Sequence, residues 1–212
     1  ANGCNVPWAK GYSTEEEALA DKYWFSWPCI VKPTDSAGSK GVTRVDKPSE
    51  LEKAVKFAFE HSISHRIIIE EFIEKAGCSS DSDSFSLDGE LKVVTFSAQR
   101  FDENAAGAYV PAAYSWPSSM NMQQEAELKS ELQRLLTLLH MNTSIYNIET
   151  RVCTNGKTYI MEVSPRGGGN RLAEMIRYAT GVDMISACTR AAVGDPVGDV
   201  AQKPLSGHWA EI

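Results

Sequence analysis

The pattern of apolar and polar positions predicts short strands interleaved with amphipathic helices. In the first third of the chain, PCIVKP, GVTRV and RIIIEEF are rich in β-branched residues and predict three strands. The segment before the third strand predicts a helix to about His61, because its apolar residues recur at i, i+3, i+4 and i+7: Leu51, Ala54, Val55 and Ala58. The predicted order is strand, glycine-containing loop, strand, helix, strand.

Two hairpins and three helices are predicted farther along the chain. Asp88-Gly89 and Asn155-Gly156 lie between β-rich runs and favour two-residue hairpin turns, in which both turn positions have positive φ. A long helix is expected from about Gln123 to His140, with an apolar stripe formed by Leu128, Leu132, Leu135, Leu136 and Leu139. Two shorter helices follow, RLAEMIRYAT and MISACTRAAV, and each ends at a glycine suited to a left-handed cap.

Small polar residues predict where elements begin and where the chain forms loops. Ser13 with Glu16, and Ser49 with Glu52, have the spacing of a capping box and predict two helix starts. The stretch GCSSDSDS, residues 77–84, is rich in serine and aspartate and is predicted to be a loop, and the most disordered segment of the chain. The whole pattern indicates an α+β fold with two subdomains.

Composition and charge narrow the classes of function. The 212-residue chain has a formal net charge of −7, which argues against a nucleic-acid partner, since such proteins usually carry a basic face. No apolar run approaches the ~20 residues of a membrane span, so no membrane partner is expected. Five cysteines without a CxxC pair predict reduced thiols and a cytoplasmic protein.

The first candidate site is the loop that follows Lys32. Between Thr34 and Gly41 the chain has two glycines, two serines and Lys40, and glycine allows backbone amides to approach an anion closely. These residues suit a triphosphate. A surface hairpin with a solvated lysine is the alternative, and this stretch alone favours it.

The second candidate site is acidic. Glu149 and Glu162 lie in two strands joined by the Asn155-Gly156 turn, and hairpin pairing brings such carboxylates onto one face, where they suit Mg²⁺. Solvated strand carboxylates are the alternative. Glu162 is expected to be partly buried, because the stretch YIMEV surrounds it with apolar residues.

Two further stretches complete the candidate chemistry. SPRGGGNR, residues 164–171, places Arg166 on a glycine-rich turn that opens a helix, and arginine is a bidentate donor for phosphate or carboxylate. A plain linker is the alternative there. IIIEEF ends in Glu70 and Glu71 at the predicted subdomain junction, as a hinge that reads an adenine edge would, or as a solvated strand end.

In this order, these stretches resemble the ATP-grasp superfamily, in particular its carbamoyl-phosphate-synthase-like and amino-acid-ligase-like members. CIVKPTDSAGSKGVTRV is similar to the lysine strand and glycine-rich loop, IIIEEFIEKAG to the adenine hinge, and YNIETRVCTNGKTYIMEVSPRGGGN to the metal-site hairpin and arginine turn. The resemblance implies two α+β subdomains that grip the nucleotide between antiparallel sheets. They would comprise residues 1–73, with the lysine strand, loop and hinge, and residues 74–212, with the metal-site hairpin and C-terminal helices.

The resemblance also implies how ATP would be bound. Lys32 would hold the phosphates, Glu70 would receive the adenine amino group, and main-chain atoms of Glu71, Phe72 and Ile73 would complete base recognition. The loop that closes over the phosphates would consist of Ser36, Ala37, Gly38, Ser39, Lys40 and Gly41.

The implied metal and catalytic residues lie in the second half of the chain. Glu149 and Glu162 would ligate Mg²⁺, or Mn²⁺ in its place, and Arg166 would act with Lys32 on the transferred phosphoryl group. Three further residues are candidates for substrate contact: Arg100, Asn170 and Arg171.

The implied reaction activates a small carboxylate as an acyl-phosphate, which an amine then attacks, releasing ADP and phosphate. The family usually has a preceding nucleotide-fold domain, and nothing in this sequence corresponds to it. We therefore expect an isolated grasp domain that binds nucleotide poorly or fails to turn over alone. The alternatives are a nucleotide-binding grasp module without catalysis, and an ATP-dependent phosphotransferase.

Two departures from the family pattern affect the site. An acidic residue shortly after the hinge often holds the ribose, whereas this chain has GCSSDSD there, so Ser79, Asp81 or Asp83 would take that role. Ser164 stands where the family often has an asparagine, which would thin the shell of a second metal ion.

Overall fold

The computed structural model describes residues 2–36, 38–102, 104 and 111–212. The chain forms two compact units: the first is Val6–Glu74, and the second combines Ala1–Asn5 with Lys75–Ile212. Both consist of antiparallel sheets and helices. This is the α+β class that the hydrophobic pattern predicts.

The first unit is a four-stranded sheet with helices on one face. Its elements are β1 (Ala9–Tyr12), α1 (Glu15–Ala20), β2 (Cys29–Pro33), β3 (Thr43–Val45), α2 (Leu51–Glu60) and β4 (Ile67–Glu71). The strands pair antiparallel in the order β1-β4-β2-β3. Alternation along β2 and β4 buries Cys29, Val31, Ile67 and Ile69 against α1 and α2, and leaves Lys32 on the opposite face.

Both predicted capping boxes are wrong. The cap of α1 is Thr14, whose Oγ1 accepts from the Glu17 amide at 3.2 Å, so the cap is one residue later than the predicted Ser13. Ser49 lies inside a 3₁₀ turn, Pro48–Glu50, and no side-chain hydrogen bond caps α2. The proline explains the second difference, because it suits the first position of a helical turn and moves the start upstream.

The described residues of the second unit form two sheets and three helices. Its elements are β5 (Ser80–Leu87), β6 (Glu90–Val94), β7 (Ala98–Phe101), β8 (Pro111–Trp116), α3 (Met122–Leu138), β9 (Ser144–Val152), β10 (Thr158–Ser164), α4 (Leu172–Thr180), α5 (Met184–Val193) and β11 (Trp209–Glu211). The strand orders are β10-β9-β5-β6 and β11-β8-β7, with all neighbours antiparallel.

The larger sheet has one face that packs on α3 and a second face of mixed apolar and polar composition. Tyr146 and Ile148 of β9 pack with α3. On the other, mixed face, Phe85, Val93 and Ile145 pack with α4 and α5, and Asp81, Asp83 and Asn147 of the two central strands are polar. The acidic side chains of the sheet thus lie on the mixed face, beside the apolar residues that contact α4 and α5.

The predicted loop at residues 77–84 is wrong, because most of it forms β5, an interior strand of the larger sheet. The segment between β6 and β7 bonds to two serines of β5: Ser80 Oγ accepts from the Ser97 amide at 2.9 Å, and Ser82 shares a hydrogen bond with Thr95. Serine and aspartate favour turns when only local bonds are available. Here the partners are distant in sequence, and strand pairing overrides the local preference.

The two predicted hairpin turns differ. Asp88 and Gly89 have φ of 51° and 82°, as a two-residue turn with two positive φ values requires. In the other connection Gly156 has φ of 78°, but the φ of Asn155 is not positive. The Gly156 amide donates to Cys153 O at 2.9 Å. This connection is therefore longer than predicted.

Two expectations from composition concern membrane spans and cysteines. No helix in the described part of the chain is both long and apolar enough to cross a membrane. All five cysteines are free. Burial, with a smaller contribution from Asp46, raises the pKa of Cys29 to about 12, so this thiol is unreactive near neutral pH.

Packing of α3 predicts a contrast between two leucines of the expected stripe. Leu132 is fully buried, whereas Leu139 follows the helix and is 57% exposed. Leu132→Ala should lower the free energy of unfolding by about 2–5 kcal/mol, since it leaves a cavity. Leu139→Ala should change it by less than ~0.5 kcal/mol. Urea unfolding of both variants measures the difference, and equal losses would contradict this packing.

Candidate functional site

In the first unit, Lys32 and Glu70 form an ion pair on the sheet face opposite the core. In the β2–β4 register Lys32 lies across from Ile68, and Glu70 lies across from Ile30, so both side chains are on one face. Lys32 Nζ lies 2.6 Å from Glu70 Oε1, and the two side chains are 35% and 14% exposed. The residues predicted to hold phosphate and adenine thus neutralise each other in this structure.

The predicted phosphate loop is a tight, solvent-facing turn. Gly38, Ser39 and Gly41 have φ of 64°, 57° and 77°. Ser36 Oγ donates to Lys40 O at 2.5 Å and closes the turn. A side chain at Gly41 would come within 2.7 Å of Pro33, so glycine is required there. Ala37, which also belongs to the predicted set, lies outside the described residues.

Asp35, which no sequence motif singled out, anchors this loop. Its carboxylate accepts from Ser62 Oγ at 3.0 Å and from the amides of Ile63 and Ser64 at 3.2 and 2.6 Å. Hydrogen bonds from Ser64, and then from Ser62 and Ile63, hold the pKa of Asp35 below its usual range. These bonds join the base of the loop to the segment after α2, which is a long-range contact that no local motif reveals.

The predicted adenine hinge uses two of its amides within the fold. The Glu71 amide donates to Trp8 O at 2.9 Å, and the Phe72 amide donates to Pro28 O at 3.4 Å. The Arg44 guanidinium lies 4.2 Å from the centre of the Phe72 ring. Ile73 is buried beside them.

In the second unit, three carboxylates form a row across three strands. Asp81 of β5 lies directly opposite Glu149 of β9, which lies directly opposite Glu162 of β10. Directly paired residues in an antiparallel sheet point to the same face, so all three belong to the polar part of the mixed face. Glu149 also contacts Arg151, at 3.7 Å.

Glu162 is exposed, so its predicted partial burial is wrong. It lies in β10, the edge strand of the sheet, directly after a shift in register between Ile160 and Glu162. The edge position and the irregularity turn its carboxylate toward solvent despite its apolar neighbours in sequence. Glu162 Oε1 accepts from Ser164 Oγ at 2.8 Å.

Asp81 and Asp83 form an acidic pair beside this row. Asn147 Nδ2 lies 2.6 Å from Asp81 Oδ1 and 3.3 Å from Asp83 Oδ1, so one amide group bridges both carboxylates. Tyr114 OH donates to Asp81 Oδ2 at 3.3 Å. Burial raises the pKa of both aspartates, and the hydrogen bonds from Asn147 oppose that effect. From sequence, these aspartates were expected only as ribose ligands in a loop.

The glycine-rich turn after β10 lies against this pair. The Gly168 amide donates to Asp83 Oδ1 at 2.8 Å. Arg166 is exposed, donates to Gly167 O at 2.9 Å, and its charge lowers the pKa of Asp81 and Asp83 against the larger effect of burial. The structure therefore brings the predicted arginine to the acidic face that carries the predicted metal ligands.

The three candidate substrate residues have different surroundings. Asn170 Nδ2 donates to Tyr114 OH at 3.3 Å, which places it beside Asp81. Arg171 makes two bonds to Glu174, of 2.8 and 2.6 Å. Arg100 donates to Ala98 O and Ser115 Oγ and, because side chains alternate, projects from the face of β7 opposite to its neighbour Gln99, which pairs with Tyr114. It is not part of the acidic cluster.

A magnesium ion would fit the acidic row only with ligands from elsewhere. Glu149 and Glu162 offer hard oxygen atoms from opposed positions, which suits Mg²⁺. Within residues 2–36, 38–102, 104 and 111–212, no group of three or more His, Cys, Asp or Glu side chains is arranged to hold a metal ion. Mg²⁺ commonly completes its shell with water and substrate phosphates, so a two-glutamate site is consistent with this observation.

The sequence profile of one family, described as the ATP-grasp domain, matches residues 25–174, which is more than half of the chain. The chain belongs to the ATP-grasp family. The matched range includes Lys32, Glu70, Glu149, Glu162 and Arg166.

Solved structures show the same fold as this ATP-grasp domain. The L-amino acid ligase from Bacillus licheniformis has a TM-score of 0.75 and 24% identity, with 93% of this chain and 46% of that chain covered. The biotin carboxylase complex with β,γ-ATP from Campylobacter jejuni has a TM-score of 0.83 and 16% identity, with 99% and 47% covered. The biotin carboxylase domain of Hydrogenobacter thermophilus 2-oxoglutarate carboxylase, solved with MgADP, has a TM-score of 0.78 and 17% identity. The match covers 97% of this chain and 46% of that chain. This ATP-grasp domain thus spans about half the length of these structures.

Burial of Asp81 predicts how the stability of this ATP-grasp domain depends on pH. The pKa of Asp81 is raised on folding, so between the unfolded and folded values the folded protein holds a proton that the unfolded chain has lost. Stability from this group therefore falls as pH rises from about 4. Asp81→Asn removes the titration, so its Tm relative to the parent protein should rise between pH 4 and pH 7.

The control is Asp195→Asn, which removes one charge from an exposed aspartate. Its Tm difference from the parent protein should change much less over the same pH range. Thermal unfolding of the three proteins in matched buffers measures both differences. A flat difference for Asp81→Asn would show that this carboxyl titrates alike in the folded and unfolded chain.

Proposed function

We propose that this chain is the ATP-binding domain of an ADP-forming carboxylate–amine ligase. The observation that carries the proposal is the pair of directly opposed glutamates, Glu149 and Glu162, followed by Arg166 on the same face in a member of the ATP-grasp family. Solved neighbours include a protein named as an L-amino acid ligase, and others solved with β,γ-ATP or MgADP. These names support ATP as the nucleotide and Mg²⁺ as its metal ion.

In this proposal, Lys32 binds the nucleotide phosphates and exchanges its present partner, Glu70, for them. Glu70, once released, accepts a hydrogen bond from the adenine amino group. The amide of Ile73 is the hinge group best suited to the base, since the amides of Glu71 and Phe72 already donate to backbone carbonyls. The turn at residues 36–41 covers the phosphates, because amides and a lysine near positive-φ residues suit an anion.

Mg²⁺ is held by Glu149 and Glu162 together with nucleotide oxygens, and when bound it neutralises charge on the phosphates. Arg166 contributes a planar, permanently charged donor for the transferred phosphoryl group. Such transfer depends mainly on positioning and charge stabilisation, so the proposed set needs no protein nucleophile.

The proposed reaction has two steps. A substrate carboxylate oxygen attacks the terminal phosphorus of ATP, the bond to the bridging oxygen breaks, and ADP leaves. The amine nitrogen then attacks the carbonyl carbon of the acyl-phosphate, phosphate leaves with the bonding electrons, and the nitrogen loses a proton. Each turnover consumes one carboxylate, one amine and one ATP.

We also propose that residues 1–73 and 74–212 correspond to the two grasp subdomains, and that a preceding domain of a longer cytoplasmic protein helps to form the acceptor site. The half-length coverage of the solved neighbours supports the second part. The nucleotide residues proposed here belong to this chain, so nucleotide binding can be tested on it directly.

Glu162→Gln should abolish stabilisation by nucleotide. If both glutamates ligate the metal, millimolar Mg-ATP raises the Tm of the parent protein and leaves the variant within about 1 °C of its ligand-free value, because a bound ligand stabilises only in proportion to its occupancy. Differential scanning fluorimetry with Mg-ATP, and with ATP plus a chelator, measures both.

Glu16→Gln is the matched control, since Glu16 is an exposed glutamate on α1. It should retain the full shift. A shift that survives in Glu162→Gln would indicate a module that binds nucleotide without this metal site. No shift in the parent protein, confirmed by calorimetry, would refute the proposed nucleotide site in this chain.

The reaction itself is tested with the full-length protein. Incubation with Mg-ATP, pools of small carboxylates and amino acids should release ADP and phosphate and form an amide, and Arg166→Ala should lower kcat by about 100-fold or more. Mass spectrometry of the products identifies the new bond. A stable phosphoester without loss of amine would show a phosphotransferase instead.

A further inference from the structure

We propose that Asp83 and Asn147 are positioning residues that hold the turn at residues 164–169, and through it Arg166, in the geometry needed for phosphoryl transfer. The kinetic part of this inference rests on the proposed function. The structural part concerns contacts within the second unit and can be tested without nucleotide or activity.

Asp83 is the anchor of this arrangement. It lies in β5, an interior strand, and its side chain is fully buried. Its Oδ1 accepts from the Gly168 amide at 2.8 Å and from Asn147 Nδ2 at 3.3 Å. A hydrogen bond from a backbone amide to a carboxylate is charge-assisted and roughly twice as strong as a neutral one. The turn is therefore held at one defined point on a rigid strand.

Gly168 is held closely enough that a side chain would not fit. A Cβ atom there would lie 2.5 Å from Leu172 Cδ1, 2.6 Å from Asn147 Nδ2 and 3.0 Å from Asp83 Oδ1. Glycine is required at position 168 because there is no space for a Cβ atom, and not because of a positive φ. Gly168 thus lies close to Leu172 at the start of α4 as well as to Asn147 and Asp83 of the sheet. The turn is therefore fixed against both the sheet and the helix.

Arg166 depends on this turn for its position. Its amide donates to Ser164 O at 2.8 Å, and its guanidinium donates to Gly167 O at 2.9 Å, so both contacts lie within the turn. Gly167 is followed directly by Gly168, whose amide is bonded to Asp83. A turn released from Asp83 would therefore carry the arginine with it, and a misplacement of about 1 Å can lower a rate about 100-fold.

The anchor is costly to the fold, which a structural role alone does not explain. Asp83 Oδ2 is buried without a hydrogen-bond partner among the described residues, and Asp81 lies two residues away on the same face. Burying a carboxylate that is only partly satisfied is unfavourable. An apolar residue would fill the site more stably, but it offers no acceptor to the Gly168 amide.

Hydrogen–deuterium exchange of the nucleotide-free protein tests the structural part. Asp83→Ala should speed exchange at residues 167–169 at least tenfold, whereas Asp83→Asn retains an oxygen acceptor and should restore most of the protection. Ser84→Ala is the matched control, because Ser84 is an equally buried neighbour on the other face of β5. It should leave residues 167–169 unchanged.

Unchanged exchange of residues 167–169 in Asp83→Ala would overturn the inference. If that variant does not fold, Gly168→Ala serves instead, since its Cβ would push the turn away from Asn147 and Asp83. It too should speed exchange in the turn, and normal protection there would likewise contradict the anchor.

Kinetics of the full-length protein test the link to Arg166. Asp83→Ala should lower kcat by about 10-fold to 100-fold with KM for ATP within about threefold, and Asp83→Asn should recover most of the rate. Faster exchange with normal kcat would show that the anchor holds the turn but not the catalytic geometry, and would refute the link. If the parent full-length protein forms no amide, the proposed function fails, while the exchange result still decides the anchor.

Discussion

The register of three antiparallel strands is the constraint on which the second unit depends. Pairing of β5 with β9, and of β9 with β10, sets Asp81, Glu149 and Glu162 side by side on one face. A slip of one residue in either pairing would turn one member of the row to the opposite face, toward α3. The apolar stripe of α3, packed on Tyr146 and Ile148, prevents that slip, because carboxylates would otherwise enter a core. Packing on one face thus determines the chemistry of the other.

Charge on the polar face is concentrated and only partly balanced. Arg151 contacts Glu149, and the charge of Arg166 lowers the pKa of Asp81 and Asp83. Burial nevertheless raises the pKa of Asp81 and Asp83, so desolvation outweighs these favourable interactions. A bound cation would stabilise the ionised carboxylates of this face, which agrees with the metal site proposed for this ATP-grasp domain. The first unit shows a neutralised arrangement, in which Lys32 and Glu70 satisfy each other.

Much of the proposed site could be predicted from sequence because its motifs are local. The lysine strand, the glycine-rich turns and the glutamate hairpin each occupy one continuous stretch, and the family match covers the same region. Asp83 was missed as an anchor because its partners, Asn147 and Gly168, lie far along the chain. Asp35 was missed for the same reason, since it bonds to residues 62–64. Neither residue has a local signature, because serine, aspartate and proline near a turn are ordinary loop composition.

The class of fold, the helices with a strong apolar period, the glycines that end α4 and α5, and the family could all be predicted from the amino-acid sequence. All of these follow from interactions within a few residues, which periodicity and backbone preference express directly. Three features became visible only in the folded chain: a serine-rich stretch is an interior strand, Glu162 is exposed, and a buried aspartate holds the arginine turn. The physical reason is that strand pairing and burial depend on partners distant in sequence, whose contacts outweigh local propensity.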